Sequence, residues 1–266
     1  MRPLTPGLEL DDWLAPYREV ERRPLADRPW VLTNMVSGLD GCAAVRGRVG
    51  ALSDPVDRSL FRMLRSLADV VLVGAETVRA EDYGRVRLSE ETQQARRAAG
   101  RRPLPRLAVV SRSLELDVES RLFSSSVSSS VSSSAPGPRP ILLTCEASDV
   151  GRRARLAAVA DVMIAGESSV DLARALRGLR QQEDEIVLCE GGPALLGQMA
   201  EARLIDELCL TLSPVMGGDA LPVAISSATS DLTRFRLAQV LNAEDTLFLR
   251  YESLTARAEA PRERGR

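Results

Sequence analysis

Short, almost wholly apolar runs at Val70–Gly74 (VVLVG), Leu107–Val110 (LAVV), Ile141–Thr144 (ILLT) and Ile186–Glu190 (IVLCE) constrain this chain more than any other feature. Apolar runs of this length without alternation are strands covered on both faces, the condition of a parallel sheet between two helical layers. The sequence between them supplies helices. Pro55 to Leu67 places Val56, Leu60, Met63, Leu64 and Leu67 on one stripe at spacings of three and four. Asp54 stands where a cap is needed, with Pro55 at the first helical position. Further helices are expected from about Asp149 to Val159, around Leu172, Leu176 and Leu179, and from about Pro193. Further strands are expected at Trp30–Val36, Val162–Ala165 and Glu207–Leu212, with a closing antiparallel pair at Arg236–Val240 and Thr246–Tyr251. This alternation predicts an α/β layered fold whose central sheet is mostly parallel and whose C-terminal strands are antiparallel.

Residues 1–27 form a Pro-punctuated N-terminal arm with little periodicity, and 255–266 a charged tail expected to be disordered. Between them, 28–254 reads as one domain. Nine of the eleven residues from 124 to 134 are serine, and APGPRP follows. Such a segment has too little apolar surface to offset its chain entropy, so 124–138 is expected to be a flexible insertion.

Composition removes whole classes of chemistry. The 266 residues contain no histidine, which excludes Ser-His-Asp and Cys-His triads and His-ligated zinc. They contain no lysine, which excludes the P-loop and Schiff-base enzymes. A formal charge of −2 argues against nonspecific nucleic-acid binding. Cys42, Cys145, Cys189 and Cys209 form no CxxC pair, so no metal site is expected. The acidic N-terminus is unlike a signal peptide, and no stretch approaches the ~20 apolar residues of a membrane span. A cytoplasmic protein without membrane partners is expected.

Four segments could carry chemistry. In EGGPALLGQM a strand ends at Glu190, Gly191 and Gly192 allow close backbone approach, and Pro193 opens a helix whose N-terminal amides favour a phosphate. The same pattern also serves as a plain tight turn. In VVLVGAETVRAED, Thr77 lies just beyond the strand end at Gly74, either facing a ligand or capping a helix. Ser111-Arg112-Ser113 follows a strand with two hydroxyls and a guanidinium, suited to a phosphate monoester or to an ordinary polar loop. In SGLDG, Asp40 either meets a ligand or stabilises its own turn.

Taken in order, SGLDG, LLRSLADVVLVGAETVRAED, LAVVSRS, VLCEGGPALLG and DELCLTLSPVMGG resemble the reductase domain of bacterial riboflavin biosynthesis, in the dihydrofolate-reductase-like superfamily. The resemblance spans about Arg28 to Leu254. It implies a three-layer dihydrofolate-reductase-like fold, a homodimer, and NADPH-dependent reduction of 5-amino-6-(5-phosphoribosylamino)uracil, with hydride delivered to the sugar C1′. By resemblance, Gly74, Thr77, Glu81, Ser113 and the turn Gly191, Gly192, Pro193, Ala194, Leu195 and Leu196 fall where the family contacts NADPH. We add Ser111 and Arg112 for the adenosine 2′-phosphate. Glu190 falls where the family contacts the pyrimidine, Arg65 and Arg87 where arginines hold the ribose phosphate, and Asn34 where many members place a substrate-contacting Lys. Arg65 ends a helix whose apolar stripe faces elsewhere, which leaves it free for an anion.

The sequence also departs from the family. Gly38 separates Ser37 from Leu39-Asp40-Gly41, where the family reads SLDG, and Glu81-Asp82-Tyr83 replaces an acidic residue followed by Asp-Pro. Val49 to Ser53 (VGALS) does not match the segment with Ser and Trp typical of the bifunctional proteins, whose zinc deaminase ligands are absent here too. A stand-alone reductase is therefore expected, with Asp40 and Glu190 as catalytic candidates. A pterin or dihydrofolate reductase on the same fold, and a non-catalytic NADPH-binding protein, remain open alternatives.

Overall fold

The structure is a computed structural model and describes residues 12–124, 137–227 and 232–254. Most of the Ser-rich insertion and the charged tail lie outside the described residues. The strands are β1 (Trp30–Ser37), β2 (Val70–Gly74), β3 (Arg106–Val110), β4 (Ile141–Thr144), β5 (Asp161–Ile164), β6 (Ile186–Cys189), β7 (Glu207–Leu212), β8 (Phe235–Ala243) and β9 (Thr246–Ser253). They form one sheet in the order β5-β4-β3-β2-β6-β1-β7-β9-β8. Pairing is parallel from β5 to β7 and antiparallel for β7–β9 and β9–β8. The expected fold class, mostly parallel with antiparallel C-terminal strands, is borne out.

The helices are α1 (Ala15–Arg18), α2 (Pro55–Leu67), α3 (Ala75–Ala80), α4 (Glu90–Ala98), α5 (Val150–Ala157), α6 (Leu172–Arg180) and α7 (Pro193–Glu201). Side-chain alternation divides the core into two layers. Val71, Val73, Leu107, Val109, Leu142 and Leu188 pack with Leu60 and Leu64 of α2. Their neighbours Val70, Leu72, Ala108, Ile141, Leu143 and Val187 pack with Leu176 and Leu179 of α6 and with Leu195 and Met199 of α7. Strands with both faces buried need no polar alternation, which is why the apolar runs were legible. Asp54 caps α2 as expected, accepting from the Asp57 amide at 2.7 Å.

Two parts differ from the sequence reading. Helix α4 has no apolar stripe, and its buried face is polar. Gln93 donates to the Leu88 carbonyl at 3.0 Å, and Arg96 donates to the carbonyls of Ser66 and Arg102. The arm, for its part, is docked over residues 12–27: Tyr17 is fully buried, and Arg22 forms a bidentate ion pair with Glu207 at 2.7 Å on each arm. Trp30 donates to the same carboxylate at 3.4 Å, and Arg250 lies 3.7 Å from it.

Candidate active site

The sheet order reverses direction around β2, β6 and β1, and ligands of open α/β sheets bind beyond the carboxyl ends of strands at such a point. A cleft of about 1600 Å³ opens there. Single small-molecule sites occupy roughly 300–1,000 Å³, so this one has room for two ligands side by side.

One half of the cleft is a glycine rim. The Gly74 amide donates to the Gly191 carbonyl at 2.8 Å, which ties the end of β2 to the end of β6. Gly191 has φ +77°, a left-handed conformation that favours glycine, and the Gly191–Gly192 peptide is cis. A Cβ on Gly192 would lie 2.6 Å from Thr77 Oγ1, so the backbone of one rim meets the side chain of the other with no room between. Gly192 is also the N-cap of α7 and brings no capping side chain, leaving the first helical amides available. Next to this rim, Ser111 Oγ accepts from the Leu114 amide at 2.9 Å and shapes the β3 loop. Arg112, exposed on that loop, has no partner among the described residues. Glycine backbone, helix amides, hydroxyls and a guanidinium form a donor set that fits a phosphorylated dinucleotide.

The other half is built on Glu190. Its buried carboxylate takes two hydrogen bonds of 2.7 Å from Arg65 Nε and Nη2, and a third of 2.9 Å from the Tyr83 hydroxyl. The Arg65 guanidinium stacks 4.1 Å from the Phe61 ring centroid. Burial works against the Arg65 charge, but the adjacent Glu190 carboxylate outweighs it and holds the pKa above the ordinary arginine value. Burial, then the Glu190 charge, pushes the Tyr83 phenol well up, so Tyr83 stays a donor. Asn34 is buried in the cleft wall, and its Oδ1 has no partner among the described residues.

Gly74, Thr77, Glu81, Ser111, Arg112, Ser113, Gly192, Pro193, Ala194 and Leu195 therefore line the same cleft as Asn34, Arg65, Arg87 and Glu190. Three other sequence candidates do not line it. Leu196 is buried in the core against the sheet, and Gly191 contributes its carbonyl to Gly74 behind the rim. The expectation that Asp40 orients substrate is corrected: Asp40 is exposed, and its carboxylate accepts from the amides of Cys42 at 3.1 Å and Gly217 at 2.7 Å. It holds two turns together. The expectation that Arg65 is free for an anion is also corrected, since Glu190 engages it on two nitrogens. Thr77 does not cap α3, whose N-cap is Gly74. Glu81 lines the cleft, but its carboxylate accepts from the Val49 amide at 2.8 Å, fastening the loop before α2. Sequence reasoning missed Phe61, Tyr83, Ser53 and Asp57. Asp57 carried a signal, because it lies three residues before Leu60 and seven before Leu64, a carboxylate on an apolar stripe.

Comparison with known proteins agrees with this fold. A family model described as the RibD C-terminal domain matches residues 29–249. The 2,5-diamino-6-ribosylamino-4(3H)-pyrimidinone 5′-phosphate reductase of Archaeoglobus fulgidus is 24% identical over 214 residues, 80% of this chain and 93% of the relative. A pyrimidine reductase-like protein from Corynebacterium diphtheriae superposes with TM-score 0.74 at 29% identity, covering 86% of this chain and 93% of that one. A Thermotoga maritima protein, described as a diaminohydroxyphosphoribosylaminopyrimidine deaminase/5-amino-6-(5-phosphoribosylamino)uracil reductase, shares the fold. Its TM-score is 0.60 at 22% identity, over 85% of this chain and 57% of that one.

Proposed function

Because the chain belongs to the RibD C-terminal domain family, we propose that it is an NADPH-dependent reductase of a phosphoribosylamino-pyrimidine in riboflavin biosynthesis. The observation that carries this reading is the two-part cleft, a glycine rim fit for a dinucleotide beside the Glu190 cluster.

Bound NADPH supplies the hydride. The Gly74 and Gly192 backbone, the α7 amides and Thr77 would hold its diphosphate region, with Ser111, Arg112 and Ser113 toward the adenosine 2′-phosphate. On the substrate side, Asn34 offers an unpaired amide oxygen to the heterocycle, and Arg87, exposed at the cleft, offers charge to the ribose phosphate. Glu190 fixes the Arg65 guanidinium and the Tyr83 hydroxyl against one another, so that wall of the site is set before substrate arrives. The same reading makes the enzyme a cytoplasmic homodimer. Light scattering would then read twice the chain mass of 28.9 kDa.

Mixing the protein with NADPH and 2,5-diamino-6-(5-phosphoribosylamino)pyrimidin-4(3H)-one, its uracil counterpart or dihydrofolate, and following the nicotinamide absorbance, tests the reading. Consumption with a phosphoribosylamino-pyrimidine is expected. Turnover of dihydrofolate alone would replace the reading with pterin reduction, and no turnover with any of the three would remove it. Two substitutions probe the rim. Arg112→Ala weakens NADPH binding far more than NADH binding in fluorescence titrations, because only NADPH carries the 2′-phosphate; equal losses would take Arg112 out of that role. Gly192→Ala forces a Cβ against Thr77 Oγ1 and raises the NADPH dissociation constant about tenfold or more, the scale of an overpacked contact.

A further inference from the structure

Residues 38–54 join β1 to α2 and form neither helix nor strand. Connections in compact domains commonly run ~4–6 residues, and much longer irregular ones usually serve function. This one runs along the cleft, where Ala43, Ala44, Gly47, Val49, Gly50 and Ser53 line it.

Little apolar burial holds the connection in place. Its own cluster is small: Val36, Cys42 and Leu52, with Val45 and Val49 packed against them. Residues 46–48 and Gly50 are exposed. Two carboxylates from elsewhere in the chain fasten it instead. Asp219, in the segment after β7, accepts from the amides of Arg46 at 3.0 Å and Gly47 at 2.6 Å. Glu81, at the end of α3, accepts from the Val49 amide at 2.8 Å. Arg46 and Gly47 stand at φ +53° and +74°, and the Val45 amide closes their turn by donating to the Arg48 carbonyl at 2.8 Å. An arginine seldom adopts the left-handed conformation, and Asp219 fixes it there by holding both amides of the turn.

The two carboxylates reach the connection from different halves of the site. Glu81 lies one helical turn after Thr77, to whose carbonyl its amide donates at 2.9 Å, so it moves with the glycine rim. Asp219 follows β7, the strand that pairs with β1 beside Asn34.

We propose that residues 45–50 are a strap fastened over the cleft by Glu81 and Asp219, and that it unfastens to let the dinucleotide enter and leave. This rests on the reductase reading above and adds a conformational step to it. Resemblance implies that Glu81 contacts NADPH, but its carboxylate is taken by Val49. Segments with few buried apolar contacts and exposed backbone hydrogen bonds open locally while the rest of the fold stays closed. One hydrogen bond to a charged group corresponds to about tenfold in such an equilibrium.

The strap carries its own reporter, since trypsin cuts after arginine and Arg46 and Arg48 are exposed. Brief trypsin treatment of the full chain, with cleavage at these two bonds located by mass spectrometry, follows the open population. Stopped-flow fluorescence with excess NADP⁺ as chase follows NADPH release. NADPH is expected to slow cleavage of the wild type. Asp219→Ala is expected to speed cleavage about tenfold, and NADPH release by a similar factor, although Asp219 is not among the residues lining the cleft. Glu81→Ala is expected to act the same way, and Glu81→Gln, which keeps an acceptor for Val49, to stay near the wild type. Should Asp219→Ala fail to fold by circular dichroism, the two Glu81 variants decide alone. Wild-type cleavage in the folded alanine variants would overturn the fastening. Faster cleavage with NADPH release unchanged, or no protection by NADPH, would overturn the gating while leaving the reductase reading intact. Absence of NADPH binding by the folded wild type would overturn both.

Discussion

Replacing Glu190 by alanine is expected to lower kcat/KM by about 10²-fold or more, and to lower the stability of the fold in the same protein. Both effects arise from one carboxylate. Glu190 directly follows β6, is 7% exposed, and holds Arg65 on two nitrogens and Tyr83 through its hydroxyl. Without it, a largely buried guanidinium keeps the Phe61 face but loses its counter-ion. Removing one partner of a buried pair costs about 3–5 kcal/mol, because the remaining charge stays desolvated. Arg65 and Tyr83 then lose their positions at the substrate wall, and displacement on the scale of an ångström costs about 10²-fold in rate. Glu190→Gln keeps the shape and an acceptor for Tyr83, so its stability should fall less than that of Glu190→Ala. Steady-state kinetics with thermal melts check both effects. Wild-type kcat/KM in Glu190→Ala would mean that the cluster only supports the fold.

A second large effect lies far from the cleft. Arg22→Ala leaves Glu207, whose side chain is 0% exposed, with only Trp30 at 3.4 Å, Arg250 at 3.7 Å and the Cys209 thiol at 4.0 Å around its carboxylate among the described residues. The expected loss is again about 3–5 kcal/mol, a large share of the roughly 5–15 kcal/mol by which domains are stable. It appears as a lower urea midpoint with NADPH affinity retained at low denaturant. Arg18→Ala breaks an ion pair that is half exposed on both sides and should leave the midpoint in place. A midpoint in Arg22→Ala that matches the wild type would show that the arm does not contribute to folding.

These two residues also show where sequence reasoning reaches and where it stops. The central strands of the parallel sheet were legible because burial on both faces removes polar residues, and the bounds of β2 and β4 coincide with the apolar runs. Helix α2 was legible through Leu60, Met63 and Leu64. Helix α4 was hidden because Gln93 and Arg96 satisfy backbone carbonyls on its buried face, a role that resembles solvent-facing polarity in a sequence. The arm was hidden for a similar reason. Arg22 finds Glu207 across 185 positions, and no local pattern encodes such a pair. At the cleft, the glycine rim was readable because strand, Gly-Gly and Pro stand in one short segment. The pairing of Arg65 with Glu190 was not, since the two lie 125 residues apart and become neighbours only when β6 passes beneath the end of α2. Asp40 misled the reading because an Asp between glycines suits a turn and a site equally well, and here it serves the turn.

In the proposed reaction the glycine rim presents a nicotinamide to the sugar carbon of the substrate. The most direct measurement uses NADPH carrying deuterium at both C4 positions of the nicotinamide ring, with 2,5-diamino-6-(5-phosphoribosylamino)pyrimidin-4(3H)-one as acceptor, and locates the label in the product by NMR. One deuterium at C1′ of a newly opened ribityl chain is the predicted result. A product with hydrogen alone at C1′, or label on the heterocycle, would contradict it.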